Sequence, residues 1–288
     1  MDLFFVDYDN TLEDRLLIND GNGFFTDETA SRMPAELSNS AFGTAAEIVD
    51  MNRDGLRDII KCSTLDDVIN SVRVLYNDGG GHFSRMQHVS TDAPYMMLTG
   101  EFNGGSRSDD VFVVTDGQDV FLIYSGNDEN GNANFQEIAV SNSPGTTGMG
   151  GNIRIADLNG DGFNDVVVAD IDTDVPSCDR RMTILRNNGS PFSPRLTDPL
   201  NGAPRPWLTS GTFDVAVLDI NGDERPDLWC GTCNGNRIFI NTTEPGQGEI
   251  PTVSSWGVMA MTLLLLAVGS VVFRRFLSIP GATVPRHT

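Results

Sequence analysis

Three nine-residue stretches share one acidic pattern, and they constrain the fold of this chain more than any other feature. They are Asp50-Met-Asn52-Arg-Asp54-Gly55-Leu56-Arg-Asp58, Asp157-Leu-Asn159-Gly-Asp161-Gly162-Phe163-Asn-Asp165 and Asp219-Ile-Asn221-Gly-Asp223-Glu-Arg225-Pro-Asp227. Each places an oxygen-bearing side chain at positions 1, 3, 5 and 9. Position 6 is glycine in the first two and Glu224 in the third. Short acidic side chains on alternate residues, with a small hinge behind them, fold inward into a cage for a hard cation that takes about six to eight oxygens. The backbone carbonyl of position 7 completes the shell. The predicted metal ligands are therefore Asp50, Asn52, Asp54, Leu56 and Asp58; Asp157, Asn159, Asp161, Phe163 and Asp165; and Asp219, Asn221, Asp223, Arg225 and Asp227. Ca2+ suits such a flexible loop better than Mg2+, which demands a stricter octahedron. The expectation is about three structural calcium sites.

The flanks decide what the loops connect. An EF-hand needs a bidentate Glu at position 12 and a helix on either side. Position 12 here is Lys61, Val168 or Cys230. The neighbours are short apolar runs such as Ile59-Ile60 and Val166-Val167-Val168, which read as strands. A turn signal follows each loop: Asn77-Asp78-Gly79 and Asn187-Asn188-Gly189 repeat the hairpin seen at Asn19-Asp20-Gly21-Asn22-Gly23-Phe24, and Asn241 begins a further copy. With the last loop aspartate as marker, Asp58, Asp109, Asp165 and Asp227 are 51, 56 and 62 residues apart. The Asp109 marker closes a degraded loop that begins at Glu101. Asp2 falls in the same phase, so its first ligands would lie upstream of Met1 and further sequence is expected there.

A unit of this length with about four short strands reads as a propeller blade. The fold class expected is all-β: a partial β-propeller of about four four-stranded blades over residues 1–243, plus one C-terminal transmembrane helix. The loops, the Asn-Asp-Gly hairpins and Phe42-Gly43 together resemble the FG-GAP/VCBS repeat family of integrin-α-like propellers. That resemblance implies calcium within each blade and commonly adhesion, with carbohydrate or protein as ligand.

Trp256–Phe273 is an uncharged apolar run of 18 residues. As a helix it would rise roughly 27 Å, close to the apolar thickness of a bilayer. Arg274-Arg275 follows it, which predicts a cytoplasmic tail over 274–288 and places the propeller on the other side of the membrane. Residues 244–255 read as a linker. Ile250-Pro-Thr-Val-Ser-Ser-Trp-Gly257, the apolar run and the basic end resemble the bacterial sorting signal IPTL-CTERM, which implies display on the bacterial cell surface or the periplasmic or extracellular face.

Net charge −21 repels phosphate backbones, which excludes nucleic acid as a partner. The expected partners are the membrane, through the C-terminal helix, and an unknown protein or carbohydrate. Four cysteines make no disulfide scaffold, and Cys230-Gly-Thr-Cys233 has no second ligand pair for zinc; a plain disulfide or free thiols is the expectation. His82 and His88 lie beside the second hairpin and read as surface residues. No nucleophile elbow, zinc-hydrolase or phosphate-loop motif occurs. A non-catalytic binding or adhesion module is therefore expected. A polysaccharide- or ester-cleaving enzyme on the same scaffold and a structural envelope spacer are the two competing readings.

Overall fold

The computed structural model describes residues 2–9, 11–38, 42–64, 71–90, 94–104, 107, 109–115, 118–140, 151–169, 178, 182–187, 189, 196–197, 211–233 and 235–243. The expected linker, membrane helix and tail over 244–288 lie outside these residues. Among the described residues, no helix is long and apolar enough to cross a membrane.

Among the described residues, eighteen strands form five antiparallel sheets in chain order. The first contains β1 (Leu3–Phe5), β2 (Arg15–Asn19) and β3 (Phe25–Asp27). Two four-residue helices, α1 (Thr29–Arg32) and α2 (Ala35–Ser38), lead to the second: β4 (Gly43–Val49), β5 (Asp58–Ser63), β6 (Ser71–Asn77) and β7 (Phe83–Ser90). The third is β8 (Pro94–Gly100), β9 (Asp110–Thr115), β10 (Val120–Asn127) and β11 (Ala133–Ala139). The fourth is β12 (Ile153–Ala156), β13 (Asp165–Ala169), β14 (Met182–Asn187) and β15 (Leu196–Thr197). The fifth is β16 (Thr212–Leu218), β17 (Asp227–Thr232) and β18 (Gly235–Phe239). Within every sheet each strand pairs with its sequence neighbour, a meander needing only hairpin-type connections.

The sheets stack face to face, and their first strands β4, β8, β12 and β16 touch in series. Each acidic loop joins the first strand of a sheet to the second. That second strand is buried on both faces in β5, β9 and β13, which is why its sequence is a continuous apolar run with no alternation. Successive residues serve different layers. Ile59 packs with Leu16 and Met33 of the preceding unit, and Ile60 packs with Met97 and Val111 of the following one. Val111 and Phe112 divide in the same way, as do Val166 and Val167. At the fifth sheet Leu228 faces back into the core, but Trp229 at the next register position is 44% exposed.

Lys61, the only lysine, interrupts this run in β5 and is nevertheless buried. Its ammonium bonds the carboxylate of Asp14, itself buried at the entry to β2. Burial pulls the Lys61 amine down to about 8, and burial raises the Asp14 carboxyl against the pull of Lys61 and Arg73. The pair thus ties the first sheet to the second through a desolvated bond whose partners are costly to separate. Lys61→Met alone should destabilise the protein by about 3–5 kcal/mol, because it strands a buried carboxylate, whereas adding Asp14→Leu should recover most of that loss. Urea unfolding of the two variants checks this; equal destabilisation in both would contradict it.

Candidate cation-binding loops and the seams between sheets

The three acidic loops adopt one backbone. Positions 4 and 6 are both left-handed: Arg53 and Gly55 (φ 61° and 89°), Gly160 and Gly162 (70° and 89°), Gly222 and Glu224 (79° and 66°). Glycine meets this requirement at no steric cost, so Arg53 and Glu224 carry strain that the middle loop avoids. The inward turn of the side chains is as the spacing predicts. Asp157 accepts from the amides of Gly160 (2.7 Å), Asp161 (3.1 Å) and Gly162 (2.8 Å). Asn159 accepts from the Asp161 amide and donates to its carboxylate, and Asp161 accepts from the amide of Phe163 at 3.0 Å. The same bonds recur at Asp219, Asn221 and Asp223, and at Asp50, Asn52 and Asp54 all but the bond from the position-4 amide recur.

Position 9 behaves differently. It is the first residue of the second strand and is buried in all three loops. One oxygen of Asp165 accepts from the amide of Leu158 at position 2 (2.9 Å), and the other accepts from the amide of Asn187 at the end of the third strand (2.8 Å). Asp58 repeats this with Met51 and Asn77, and Asp227 with Ile220 and Asn241. Asp2, exposed and just before β1, accepts from the amide of Asn19 at 2.9 Å. In the degraded loop the role falls to Asp110, which accepts from Phe102 and Tyr124. The marker is therefore Asp110 and not Asp109: this loop is one residue longer, and the strand run Asp110-Val-Phe-Val-Val supplies the register that the loop spacing misplaces.

These carboxylates are held where ionisation is opposed. Burial lifts Asp58 and Asp110 to about 6 and Asp165 to about 7, with repulsion from Asp161 and Asp157 adding to the last. Each position-9 oxygen already serves a buried amide. Among the described residues, no three Asp, Glu, His or Cys side chains gather as a metal-ligand cluster. The oxygen donors that converge in each loop are those of positions 1, 3 and 5.

Three features escape the sequence reading. Position 2 is apolar in all four loops and plugs the core: Met51, Phe102 and Leu158 are buried, and Ile220 is half-buried. The hairpin asparagines also cross the seams between sheets. Asn127, Asn187 and Asn241 donate their side-chain amides to the carbonyls of Asn52 (2.6 Å), Phe102 (2.8 Å) and Leu158 (2.7 Å) in the preceding loop. The side chain of position 7 matters as well. Phe163 lies over Gly104 and Gly189, so close that a Cβ on either glycine would fall within 3 Å of the ring. Arg225 instead turns onto Asp223 at 2.6 Å, and in the degraded loop Arg107 reaches Asp50 at 2.7 Å.

The cysteines resolve as one disulfide, Cys178–Cys233, with Cys62 and Cys230 buried and free. Cys230 and Cys233 thus do not act as a pair. His88 accepts from or donates to Ser71 at 3.0 Å, and burial lowers its basicity, with Arg73 adding to the effect.

Residues 157–230 match the FG-GAP-like repeat. The matched segment runs from the cleanest loop to the second strand of the fifth sheet. A solved lectin from Agrocybe aegerita, described as the structural basis of specific recognition of non-reducing terminal N-acetylglucosamine, is similar in fold at 17% identity and TM-score 0.52. The match covers 88% of this chain and 65% of the lectin, so the chain spans less than two thirds of that protein's length. No curated protein matches the chain significantly. The fold is propeller-like, all-β and built on several four-stranded antiparallel sheets.

The strain at position 6 is testable. Glu224 is exposed and uses only its backbone amide, which Asp219 accepts at 2.9 Å. Glu224→Gly should therefore stabilise the protein by about 0.5–1 kcal/mol, the left-handed penalty less the added freedom of the unfolded chain. A lowered denaturation midpoint would contradict that.

Proposed function

We propose that this chain is a non-catalytic binding or adhesion module, built as an arc of propeller blades and stabilised by calcium in its acidic loops. The observation that carries the reading is the recurrence of one loop, in one backbone conformation, at the same corner of successive sheets. Such a scaffold spends its polar residues on joining sheets and leaves its seams for ligands. The FG-GAP-like match and the lectin neighbour support binding, with carbohydrate as the favoured ligand class. Exposed Phe5 on the first sheet and Trp229 on the last support an arc whose end faces meet further structure.

Calcium fits the loop 157–165 best. Asp157, Asn159 and Asp161 would hold it with the carbonyl of Phe163, while Asp165 backs the cage from the strand. A bound cation would relieve the repulsion among Asp157, Asp161 and Asp165. The same donors recur at Asp50, Asn52, Asp54, Leu56 and Asp58 and at Asp219, Asn221, Asp223, Arg225 and Asp227. There, arginines already neutralise Asp50 and Asp223, so calcium would bind more weakly. The polar linker, apolar run and paired arginines after residue 243 support anchoring at a bacterial cell surface, propeller outward.

The pH dependence gives the test. Asp58, Asp110 and Asp165 titrate higher in the folded protein than the ordinary value of about 3.9. The folded state therefore binds more protons than the unfolded one, and the stability these groups confer is full below about pH 4 and lost as pH rises to about 7. Calcium favours the ionised loops, so its stabilising effect should grow with pH. Melting curves in chelator and in millimolar calcium should diverge by several degrees at pH 8 and much less at pH 5. Identical curves at pH 8 would remove calcium from the account.

A further inference from the structure

The side chain at position 7 of an acidic loop has two places to go: the preceding loop or its own carboxylates. Phe163 in loop 157–165 takes the first course and lies over Gly104 of the preceding loop, with Gly189 beside it. Arg107 fills the same position in the degraded loop 101–110 and reaches Asp50 of loop 50–58 at 2.7 Å. Its Nε stands 3.8 Å from Asp109, which Arg53 holds with a two-pronged bond of 2.5 and 3.1 Å. Arg53, Asp109, Arg107 and Asp50 thus form a row of alternating charge across the seam. Arg225, at position 7 of the third loop, takes the other course. It turns back onto its own Asp223 at 2.6 Å and donates to the carbonyl of Thr243 at 3.3 Å.

A guanidinium on such a carboxylate is a tethered cation. Loop 50–58 sets Asp50 and Asp54 beside Asn52, and Arg107 takes an oxygen of Asp50. Loop 219–227 sets Asp219 and Asp223 beside Asn221, and Arg225 takes one oxygen of Asp223 through both Nε and Nη2. Each guanidinium lowers the negative charge that draws a dication, and at close range it repels one. Each also has an acceptor outside the cage, Asp109 for Arg107 and the Thr243 carbonyl for Arg225, so moving either aside breaks a second contact. Loop 157–165 differs on every count. Its own position 7 is a phenyl ring, the position-7 arginine of the following loop is held on Asp223, and Arg186 stands 3.8 Å from Asp161.

We propose that Arg107 and Arg225 take the place of calcium in the first and third loops, so that of the three loops only 157–165 binds the ion tightly. This rests on the reading of the acidic loops as calcium cages and adds which residue decides their occupancy, the side chain at position 7. Calcium affinity in the first and third loops should fall roughly a hundredfold or more below that of the second, because their effective ligand charge is lower.

Equilibrium dialysis of the full chain against calcium at pH 8 counts the sites, with circular dichroism to check that each variant is folded. The expected result is a single tight site in the wild type, abolished by Asp157→Asn. Arg107→Met and Arg225→Met should each add a tight site, a gain that loss of structure cannot produce. Arg107→Lys and Arg225→Lys keep a cation in place and should add none. Arg225→Met decides the matter even if Arg107→Met fails to fold, because Arg225 sits on a carboxylate of its own loop and not across a seam. More than one tight site in the wild type, an unchanged count in a folded methionine variant, or an equal gain with lysine would overturn the assignment and leave the calcium reading standing. A wild type that binds no calcium would overturn both.

Discussion

The structure depends on one buried carboxylate in each of its second to fifth sheets. A strand-initial aspartate accepts two backbone amides, one from position 2 of its own loop and one from the end of the third strand. Those amides belong to chain reversals, where no ladder partner is available, and a buried orphan amide costs about 1–3 kcal/mol. Asp58, Asp110, Asp165 and Asp227 remove that cost twice each. They also fix three strands relative to the loop. The asparagine whose amide is bound at Asp165 or Asp227 then sends its side chain to the preceding loop, so each sheet is positioned on the one before.

This arrangement separates two roles that the loop motif joins in sequence. Positions 1, 3 and 5 form a local turn whose carboxylates stay near solvent, while position 9 belongs to the core. Burial raises the position-9 carboxyls Asp58 and Asp165, whereas Arg225 and Asn221 hold the position-5 carboxyl Asp223 down at about 2. The loops also differ in how they offset their own charge. The first borrows Arg107 from the next sheet, the third uses its own Arg225, and in the second Arg186 stands farther off, 3.8 Å from Asp161. One motif thus yields a turn whose carboxylates are left largely unneutralised in one place and an arginine-bridged seam in another.

Much of this was legible in the sequence. The oxygen spacing and the apolar runs beside it gave strand, loop and strand in the correct order. The Asp109 marker failed for a physical reason: loop length can vary by a residue, but the strand register cannot, since one residue of slip turns every side chain to the other face. The apolar position 2 was visible as Met, Phe, Leu and Ile but had no meaning until its amide was seen bound to position 9. The seam contacts of position 7 join residues from neighbouring sheets, such as Phe163 with Gly104, and no local pattern announces such contacts. The pairing of Cys233 with Cys178 across 55 residues was hidden for the same reason.

The central claim is that the position-9 aspartate holds the loop and the third strand together. Amide hydrogen exchange on the wild type and on Asp165→Ala tests it residue by residue. The account predicts that Leu158 and Asn187 are strongly protected in the wild type and lose protection together in the variant, while the amides of β9 and β10 keep theirs. Protection at Leu158 and Asn187 that survives the substitution would contradict it.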